Sequence, residues 1–377
     1  MEHSLPVDRL PEAFASGAVL TDIRDAVSFE YGTIPGAVSK PALYDEAENA
    51  SLARECRYIL CDKDGSVSPA IAEKMRLLGY DAVSLAGGYA AWLEYRFAHP
   101  DPDKRKEVEK SLSKQFSKCL FTPFVKAINE FDMVCPGDKI AVCISGGKDS
   151  MLLAKLFQQL KRHNKFPFEL VFLVMDPGYS PANHRAIERN AELLGIPVTI
   201  FESTIFDTVY GIEKSPCYLC ARMRRGYLYS KAKALGCNKI ALGHHYDDVI
   251  ETILMGMLYG GQVQTMMPKL RSTNFEGMEL IRPMYLVREK DIKRWRDQMD
   301  LHFLQCACRF TETCTSCRED GSSASKRMEI KQLIANLKQI NPMVESNIYK
   351  SVMNVNLATV IRYKDKEGVP HSFLEEY

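Results

Sequence analysis

The chain has 377 residues, of which 46% are hydrophobic and 26% charged, a size and composition typical of a globular protein with two or three domains. Its formal net charge of +1 excludes a strong overall charge as the basis of nucleic-acid binding, so any such surface must be a local patch. No apolar run is long enough to span a bilayer and no signal sequence follows Met1, so we expect a cytoplasmic protein without a membrane partner. In that compartment the 12 cysteines are expected to be metal ligands or reactive thiols rather than disulfides.

Residues 1–97 have the pattern of a small α/β domain. Buried strands are predicted at Ala18–Arg24, Arg57–Cys61 and Ala82–Leu85, and a helix is predicted from Pro69 to Leu78. The segments Asp22–Arg24, Gly32–Ala37, the strand that ends at Cys61, and Gly87-Gly88 followed by Trp92 resemble the corresponding parts of a rhodanese domain.

The rhodanese resemblance implies that Cys61 carries a persulfide on a loop whose backbone amides surround the sulfur. The loop departs from the family pattern, since Cys61 stands one residue early and Val67 occupies a position where a basic residue is common. Two acids, Asp62 and Asp64, adjoin the thiol and disfavour the thiolate. An inactive domain that docks or positions tRNA is therefore an equal alternative.

Residues 98–118 are predicted to form a linker that runs into an exposed helix. Pro100 and Pro102 are followed by the mixed-charge run Lys104–Lys110. We assign residues 119–357 to a second domain and residues 358–377 to a C-terminal tail.

A phosphate-binding loop is predicted near the start of the second domain. The apolar run Ile140–Ile144 is short enough for a buried parallel strand, and Met151–Leu160 has helical spacing. Glycines between a strand and a helix let the backbone approach an anion, and the amides of the helix start point at it. The spacing is not that of a Walker loop. The candidate ATP ligands in this loop are Ser145, Gly146, Gly147, Lys148, Asp149 and Ser150.

The following strands and helices alternate and predict a doubly wound parallel sheet. Its further strands are expected at Phe168–Met175, Val198–Phe201 and Lys239–Gly243. Ligands bind at the carboxyl ends of such strands, where Asp176, Gly243 and the pair Asp247-Asp248 lie. The paired carboxylates suit Mg²⁺ held together with substrate phosphates; capping of the next helix by one Asp is the simpler explanation, and both roles can coexist.

Six cysteines form three closely spaced pairs, 217/220, 306/308 and 314/317. Cys-x2-Cys before a helix is typical of a metal or redox site, and the adjacent basic run Arg222, Arg224 and Arg225 favours thiolates. The spacing of the cysteines alone is compatible with two alternative metal sites. Zinc would use Cys217 and Cys220 with Cys314 and Cys317, whereas an iron–sulfur cluster would use Cys217, Cys220 and one cysteine of the 306/308 pair.

Motifs across the second domain resemble, in the same order, the tRNA 2-thiocytidine synthetase family of PP-loop ATP pyrophosphatases. They are Ser145–Ser150, Cys217–Gly226, Ala241–Asp248, Tyr259–Gly261, Pro268–Leu270, Ile281–Pro283 and Arg288–Ile292. The resemblance implies an ATP- and Mg²⁺-dependent sulfurtransferase that adenylates C2 of an anticodon-loop cytidine and replaces its oxygen with sulfur. It implies a [4Fe–4S] cluster on Cys217, Cys220 and Cys306. This sequence departs from the family by adding Cys308, Cys314 and Cys317, which are alternates for the third ligand and admit zinc.

The expected fold is therefore α/β, with an N-terminal rhodanese-like domain followed by a doubly wound PP-loop domain of the adenine nucleotide alpha hydrolase type. We expect Lys148, Asp149, Cys217, Cys220 and Cys61 to carry the chemistry. The expected RNA-facing patches are Arg222, Arg224 and Arg225, and the run Arg288, Lys290, Lys293, Arg294 and Arg296.

The expected partners are tRNA and a sulfur donor such as a cysteine desulfurase, and a homodimer is left open. One alternative is a PP-loop sulfurtransferase that acts on tRNA uridine or a small molecule through a cysteine persulfide, with structural zinc. Another is a non-catalytic tRNA-binding or sulfur-carrier module, which the intact Ser145–Ser150 motif argues against.

Overall fold

A computed structural model describes residues 4–41, 43, 52–163, 165–203, 205, 216–304 and 326–375, with the side chains of residues 216–221 left outside the description. No helix in these ranges is both long enough and apolar enough to cross a membrane.

The N-terminal domain is built on a five-stranded parallel sheet. Its strands are β1 (Ser4–Leu5), β2 (Val19–Asp22), β3 (Val38–Ser39), β4 (Arg57–Cys61) and β5 (Asp81–Leu85), in the spatial order β1–β5–β4–β2–β3. Its helices are α1 (Leu10–Ala15), α2 (Ala26–Tyr31), α3 (Ser68–Leu77) and α4 (Gly88–Ala98). Alternate residues of β4 enter different cores, Ile59 and Cys61 on one face and Tyr58 and Leu60 on the other, because successive side chains of a strand point to opposite faces.

The second domain is built on a six-stranded sheet, ordered β10–β11–β9–β6–β7–β8. The strands are β6 (Lys139–Ile144), β7 (Glu169–Asp176), β8 (Val198–Glu202), β9 (Lys239–Ala241), β10 (Lys269–Arg271) and β11 (Glu279–Ile281). β10 pairs antiparallel with β11, and the other pairings in this described sheet are parallel.

Helices cover both faces of the second sheet. They are α5 (Lys104–Ser113), α6 (Thr122–Glu130), α7 (Lys148–His163), α8 (Pro181–Leu194), α9 (Pro216–Ala234), α10 (Tyr246–Gly260), α11 (Glu289–Gln298), α12 (Lys326–Ile340) and α13 (Val344–Ser351). On β6, Ile140 and Val142 enter one core and Ala141 and Cys143 enter the other, which explains the uninterrupted apolar run. A short hairpin of β12 (Arg362–Lys364) and β13 (Pro370–Ser372) follows.

Helix α5 differs from the exposed helix predicted after the linker. Its residues Val108 and Leu112 are buried in the core of the second domain. They are one helical turn apart and therefore share one face, which also includes the buried Lys104 one turn earlier. The mixed-charge run thus includes exposed residues such as Lys106 as well as Glu109, which contacts α7, and α5 packs onto the second domain.

Candidate active site

The turn between β6 and α7 requires glycine at its first position. Gly146 has a φ of +87°, and a Cβ atom there would lie 2.7 Å from Cγ1 of Ile187. A side chain would therefore be strained and would clash. Helix α7 begins at Lys148, so its first amides lack partners within the helix and face the carboxyl edge of the sheet. Such an edge suits a phosphate group.

The two serines of the loop stabilise its shape. The Ser150 hydroxyl donates to the carbonyl of Gly147 (2.9 Å) and accepts from the amide of Ser145 (3.1 Å). The Ser145 hydroxyl lies 3.3 Å from the Ser150 hydroxyl. Gly243, after β9, packs against α7 so closely that a Cβ atom would lie 3.3 Å from the amide nitrogen of Ser150. The sequence-predicted residues Ser145, Gly147, Ser150 and Gly243 therefore meet at one point.

Lys148 is a buried cation between two carboxylates. Its side chain is 6% exposed, and its Nζ lies 3.0 Å from Oδ2 of Asp149 and 3.3 Å from Oε1 of Glu289. Burial lowers the pKa of the Lys148 ammonium, but the carboxylates of Asp149 and Glu289 outweigh burial and hold that pKa above its ordinary value. Burial acts to raise the pKa of Glu289, and Lys148 and Lys331 bring it instead to about 2. Glu289 was not singled out from the sequence, although it lies within the Arg288–Ile292 motif.

Asp149 presents a carboxylate oxygen that suits a cation. Its Oδ1 is buried and has no hydrogen-bond partner among the described residues. Nε2 of His245 lies 3.9 Å from this atom. Among the described side chains, no group of three or more His, Cys, Asp or Glu residues is arranged to hold a metal ion. A Mg²⁺ ion here would therefore depend on substrate phosphates for most of its ligands.

Both carboxylates of the pair Asp247-Asp248 accept hydrogen bonds from other parts of the protein. His245 and Asp248 form a capping box at the start of α10, in which the His245 amide donates to Oδ2 of Asp248 (3.0 Å). The other oxygen of Asp248 accepts from Arg327 (3.2 Å). Asp247 accepts from the amide of Glu289 (2.7 Å) and so connects α10 to α11. The simpler explanation, helix capping, is therefore observed for Asp248.

Asp176 shapes the loop after β7. Its Oδ1 accepts from the amides of Gly178 (2.8 Å) and Tyr179 (2.6 Å). The Tyr179 hydroxyl in turn accepts from Arg224 of α9 (2.8 Å). Asp176 and Arg224 are thus joined through one loop at the carboxyl edge of the sheet.

Helix α9 carries the first cysteine pair. Cys217 and Cys220 lie in its first two turns, three residues apart and hence on one helix face. Their side chains lie outside the description, and Cys306, Cys308, Cys314 and Cys317 lie outside the described residues altogether. Farther along α9, Arg222 and Arg225 are exposed.

Two residues of the basic run of α11 contact the N-terminal domain, while Lys290 and Arg294 are exposed. Arg296 is 3% exposed and donates to the carbonyls of Tyr31 (2.6 Å) and Glu30 (2.8 Å) in the N-terminal domain. Lys293 pairs with Glu30 as well (2.5 Å). The prediction that these side chains contact RNA phosphates is therefore wrong for Arg296, since domain docking uses its guanidinium.

A second contact joins the domains next to the PP-loop. His302 packs edge-on against Trp92 of α4, with ring centroids 4.6 Å apart, and its Nδ1 lies 3.3 Å from the hydroxyl of Tyr89. Two residues later, the Leu304 amide donates to the carbonyl of Gly146 (3.3 Å). One short segment thus contacts both the rhodanese-like domain and the PP-loop.

Cys61 lies beneath its loop rather than within it. It is 0% exposed, and burial together with Asp22 raises the pKa of its thiol well above the ordinary value. The loop amides converge instead on the carboxylate of Asp62, which accepts from Gly65 (2.7 Å), Val67 (2.6 Å) and Ser68 (3.0 Å). This arrangement favours the inactive alternative for the domain.

Comparison with known proteins agrees with the two-domain order. A rhodanese-like domain model matches residues 7–95 and a PP-loop domain model matches residues 120–308, which confirms the α/β fold class predicted from the sequence. The chain is 40% identical over 205 residues to a tRNA-cytidine(32) 2-sulfurtransferase of Neisseria meningitidis serogroup C, an alignment that covers 54% of this chain but 64% of that protein. It is 34% identical over 240 residues to the protein of that name from Anaeromyxobacter dehalogenans, covering 63% of this chain and 79% of the relative.

One solved structure is similar over most of the chain. It is a U34-tRNA thiolase from Methanococcus maripaludis with its [4Fe–4S] cluster, with 20% identity and a TM-score of 0.46. The match covers 74% of this chain and 84% of the thiolase.

Proposed function

This chain belongs to the family of the tRNA-cytidine(32) 2-sulfurtransferases within the PP-loop proteins, and from that premise we propose that it is an ATP-dependent tRNA sulfurtransferase. Its substrate would be a cytidine of the tRNA anticodon loop, at the position named for its relatives, whose C2 oxygen is replaced by sulfur. The observation that carries the proposal is the PP-loop itself: a glycine turn at the start of α7 beside the buried, carboxylate-flanked Lys148.

Different residues of the loop bind different parts of ATP and its metal ion. The amides at the start of α7 and the Lys148 ammonium bind phosphate oxygens, since both supply positive charge at one point. The buried Oδ1 of Asp149, which lacks a hydrogen-bond partner among the described residues, binds Mg²⁺ together with those phosphates.

Adenylation makes the cytosine oxygen replaceable. The C2 oxygen attacks the α-phosphate and pyrophosphate leaves, so the oxygen becomes linked to AMP. Sulfide then adds at C2 and AMP departs with the oxygen. A base inside an anticodon stack must be turned outward to reach such a pocket. The exposed Arg222 and Arg225 of α9, near the cysteine pair, are the side chains that we assign to tRNA phosphates.

The cysteine pair of α9 fits an iron–sulfur cluster by its donor chemistry. Cys217 and Cys220 share a face in the first turns of a helix, where the helix dipole favours thiolates. With Cys306 they would hold a [4Fe–4S] cluster, whose chemistry would be to bind the sulfide that is transferred. Zinc on Cys217, Cys220, Cys314 and Cys317 is the competing assignment. Protein purified without oxygen is expected to contain about four iron and about four labile sulfide per chain, whereas zinc without sulfide would support the competing assignment.

The nucleotide products test the reaction class. The wild-type protein with tRNA and ATP is expected to release AMP and pyrophosphate, and Lys148→Ala should abolish that release by removing the phosphate-binding ammonium. Lys161→Ala is the matched control, because Lys161 lies exposed near the far end of the same helix. Release of ADP, or unchanged turnover in Lys148→Ala, would contradict the proposed chemistry.

A further inference from the structure

The N-terminal domain contributes an aromatic side chain to the wall of the phosphate loop. Tyr31 is the last residue of α2, and its hydroxyl would lie 3.3 Å from a Cβ atom built on Gly147. The Nζ atom of Lys148 lies 5.6 Å from the centroid of the Tyr31 ring. Tyr31 therefore lies next to Gly147 and Lys148, in the part of the loop whose amides are expected to bind a phosphate.

The position of Tyr31 is held from both domains. The buried Arg296 guanidinium of α11 donates to the carbonyls of Tyr31 and Glu30, at 2.6 and 2.8 Å. Within the N-terminal domain, Arg24 donates to the carbonyl of Gly32 (2.8 Å) and pairs with Asp22 (2.6 Å). A buried guanidinium has lost its hydration and requires acceptors, so it strongly favours this docked arrangement.

The phenol hydroxyl has the chemistry that a phosphate ligand needs. It can donate a hydrogen bond to an anionic oxygen, and such charge-assisted bonds are short and strong. Because Gly147 has no side chain, a phosphate bound to the backbone amides at Gly147 can come within reach of the Tyr31 hydroxyl. The face of the Tyr31 ring also lies near the Lys148 ammonium. This cation–π contact stabilises the charged lysine at the loop.

We propose that Tyr31 of the rhodanese-like domain is a nucleotide-binding residue, whose hydroxyl donates a hydrogen bond to a phosphate oxygen of ATP on the loop Gly146–Ser150. The proposal rests on the proposed function, since it requires ATP on that loop. It gives the rhodanese-like domain a role that needs no sulfur on Cys61: the domain completes the ATP site from outside the sheet.

Calorimetric binding of α,β-methylene-ATP, which cannot be cleaved between those phosphates, tests the assignment. Tyr31→Phe removes only the hydroxyl and is expected to raise the Kd of the analogue about tenfold, the effect of one hydrogen bond to a charged group. Its affinity for adenosine, which has no phosphate, should stay equal to that of the wild type. Tyr95→Phe is the control, because Tyr95 lies in α4 of the same domain with its ring against His99.

The outcomes separate this inference from the proposed function. Wild-type protein that does not bind the analogue would overturn both. Wild-type binding with an unchanged Kd in Tyr31→Phe would overturn only the role of Tyr31, and tighter binding would show that Tyr31 blocks the loop. An equal loss of adenosine and analogue affinity would also overturn it, since that loss would reflect a structural change rather than a missing phosphate contact.

Discussion

The loop around Cys61 directs its amides to a carboxylate instead of a sulfur atom. Asp62 accepts three backbone hydrogen bonds and a fourth from the Ser68 hydroxyl (3.1 Å), so the anion that the loop stabilises is already part of the chain. The Cys61 thiol lies in the hydrophobic core below, and its raised pKa leaves little thiolate at neutral pH.

This arrangement predicts that Cys61 reacts slowly in the folded protein. Brief treatment with iodoacetamide should label the exposed Cys135 well before Cys61, as measured by mass spectrometry of the resulting peptides. Cys61→Ser should then thiolate tRNA at the wild-type rate. Equal labelling of the two cysteines, or loss of thiolation in Cys61→Ser, would restore the persulfide role.

Two glycines with similar backbones allow the effect of the PP-loop turn to be isolated. Gly146 and Gly137 have φ values of +87° and +82°, but a Cβ atom meets Ile187 only at Gly146 and finds nothing within 4 Å at Gly137. Gly137→Ala should therefore lose about 1–2 kcal/mol of stability through backbone strain alone. Gly146→Ala should lose about 1–3 kcal/mol more through overpacking, and ATP binding with it.

Thermal unfolding and ATP titration of both variants measure this difference. Equal losses of stability in Gly146→Ala and Gly137→Ala would show that Ile187 moves aside and that the turn tolerates a side chain.

At the scale of elements, Glu109 joins three helices of the second domain. Its Oε1 lies 3.0 Å from Nζ of Lys155 in α7 and 2.7 Å from Nη2 of Arg162, while Lys155 also donates to the carbonyl of Leu194 at the end of α8 (2.7 Å). Burial acts to raise the pKa of Glu109, but these cations bring it to about 2. Its ionised form therefore stabilises the fold above its ordinary pKa of 4.5, and this contribution is lost as the pH falls from there towards about 2.

Glu109→Gln should destabilise the protein by about 1–3 kcal/mol at pH 7, since buried Lys155 loses a charged partner. Melting temperatures across the pH range should show this difference shrinking below pH 4.5, as wild-type Glu109 becomes protonated. Glu192→Gln on α8 is the control, because Glu192 and its partner Arg189 are both more than half exposed and their pair is expected to contribute at most about 1 kcal/mol. A difference that persists unchanged at low pH would contradict the ionic explanation.

How far each element could be predicted follows from its length and burial. β6 and α7 could be predicted because a strand buried on both faces leaves an apolar run and a long helix leaves a clear period. β10 and β11, at three residues each, and α2, at six, are too short to leave a period, and they were not predicted. The sequence of α5 contains many charged residues and few apolar ones, so it predicts an exposed helix. Its two buried apolar residues, Val108 and Leu112, are too few to indicate burial.

At the scale of the whole molecule, the docking of the two domains determines part of the site. Lys148, Asp149 and the loop glycines could be predicted because they share one motif. The contacts of Tyr31 with Lys148 and of Arg296 with Glu30 join residues far apart in the sequence, and no local pattern indicates them. The sequence pattern therefore places Arg296 in an RNA-facing basic run, and its contacts at the domain interface are visible only in the folded molecule.

Arg296→Ala should loosen the docking. Two short hydrogen bonds from a buried charged donor are lost, each worth about 1.5–3 kcal/mol, so the amides of α2 should exchange with deuterium at least about tenfold faster than in the wild type. Arg294→Ala is the control, since Arg294 is on the same helix, more than half exposed, and paired with Asp291. Equal exchange of α2 in the two variants would mean that the interface is held by other contacts.

The central claim is that ATP on the PP-loop drives sulfur into a tRNA cytidine. The most direct test incubates anaerobically purified protein with tRNA, ATP and sulfide, digests the tRNA, and measures its nucleosides by mass spectrometry. We predict 2-thiocytidine in the wild-type reaction, and none when ATP is omitted or Lys148 is replaced by alanine. Sulfur in a uridine, thiolation without ATP, or an unmodified tRNA would contradict the account.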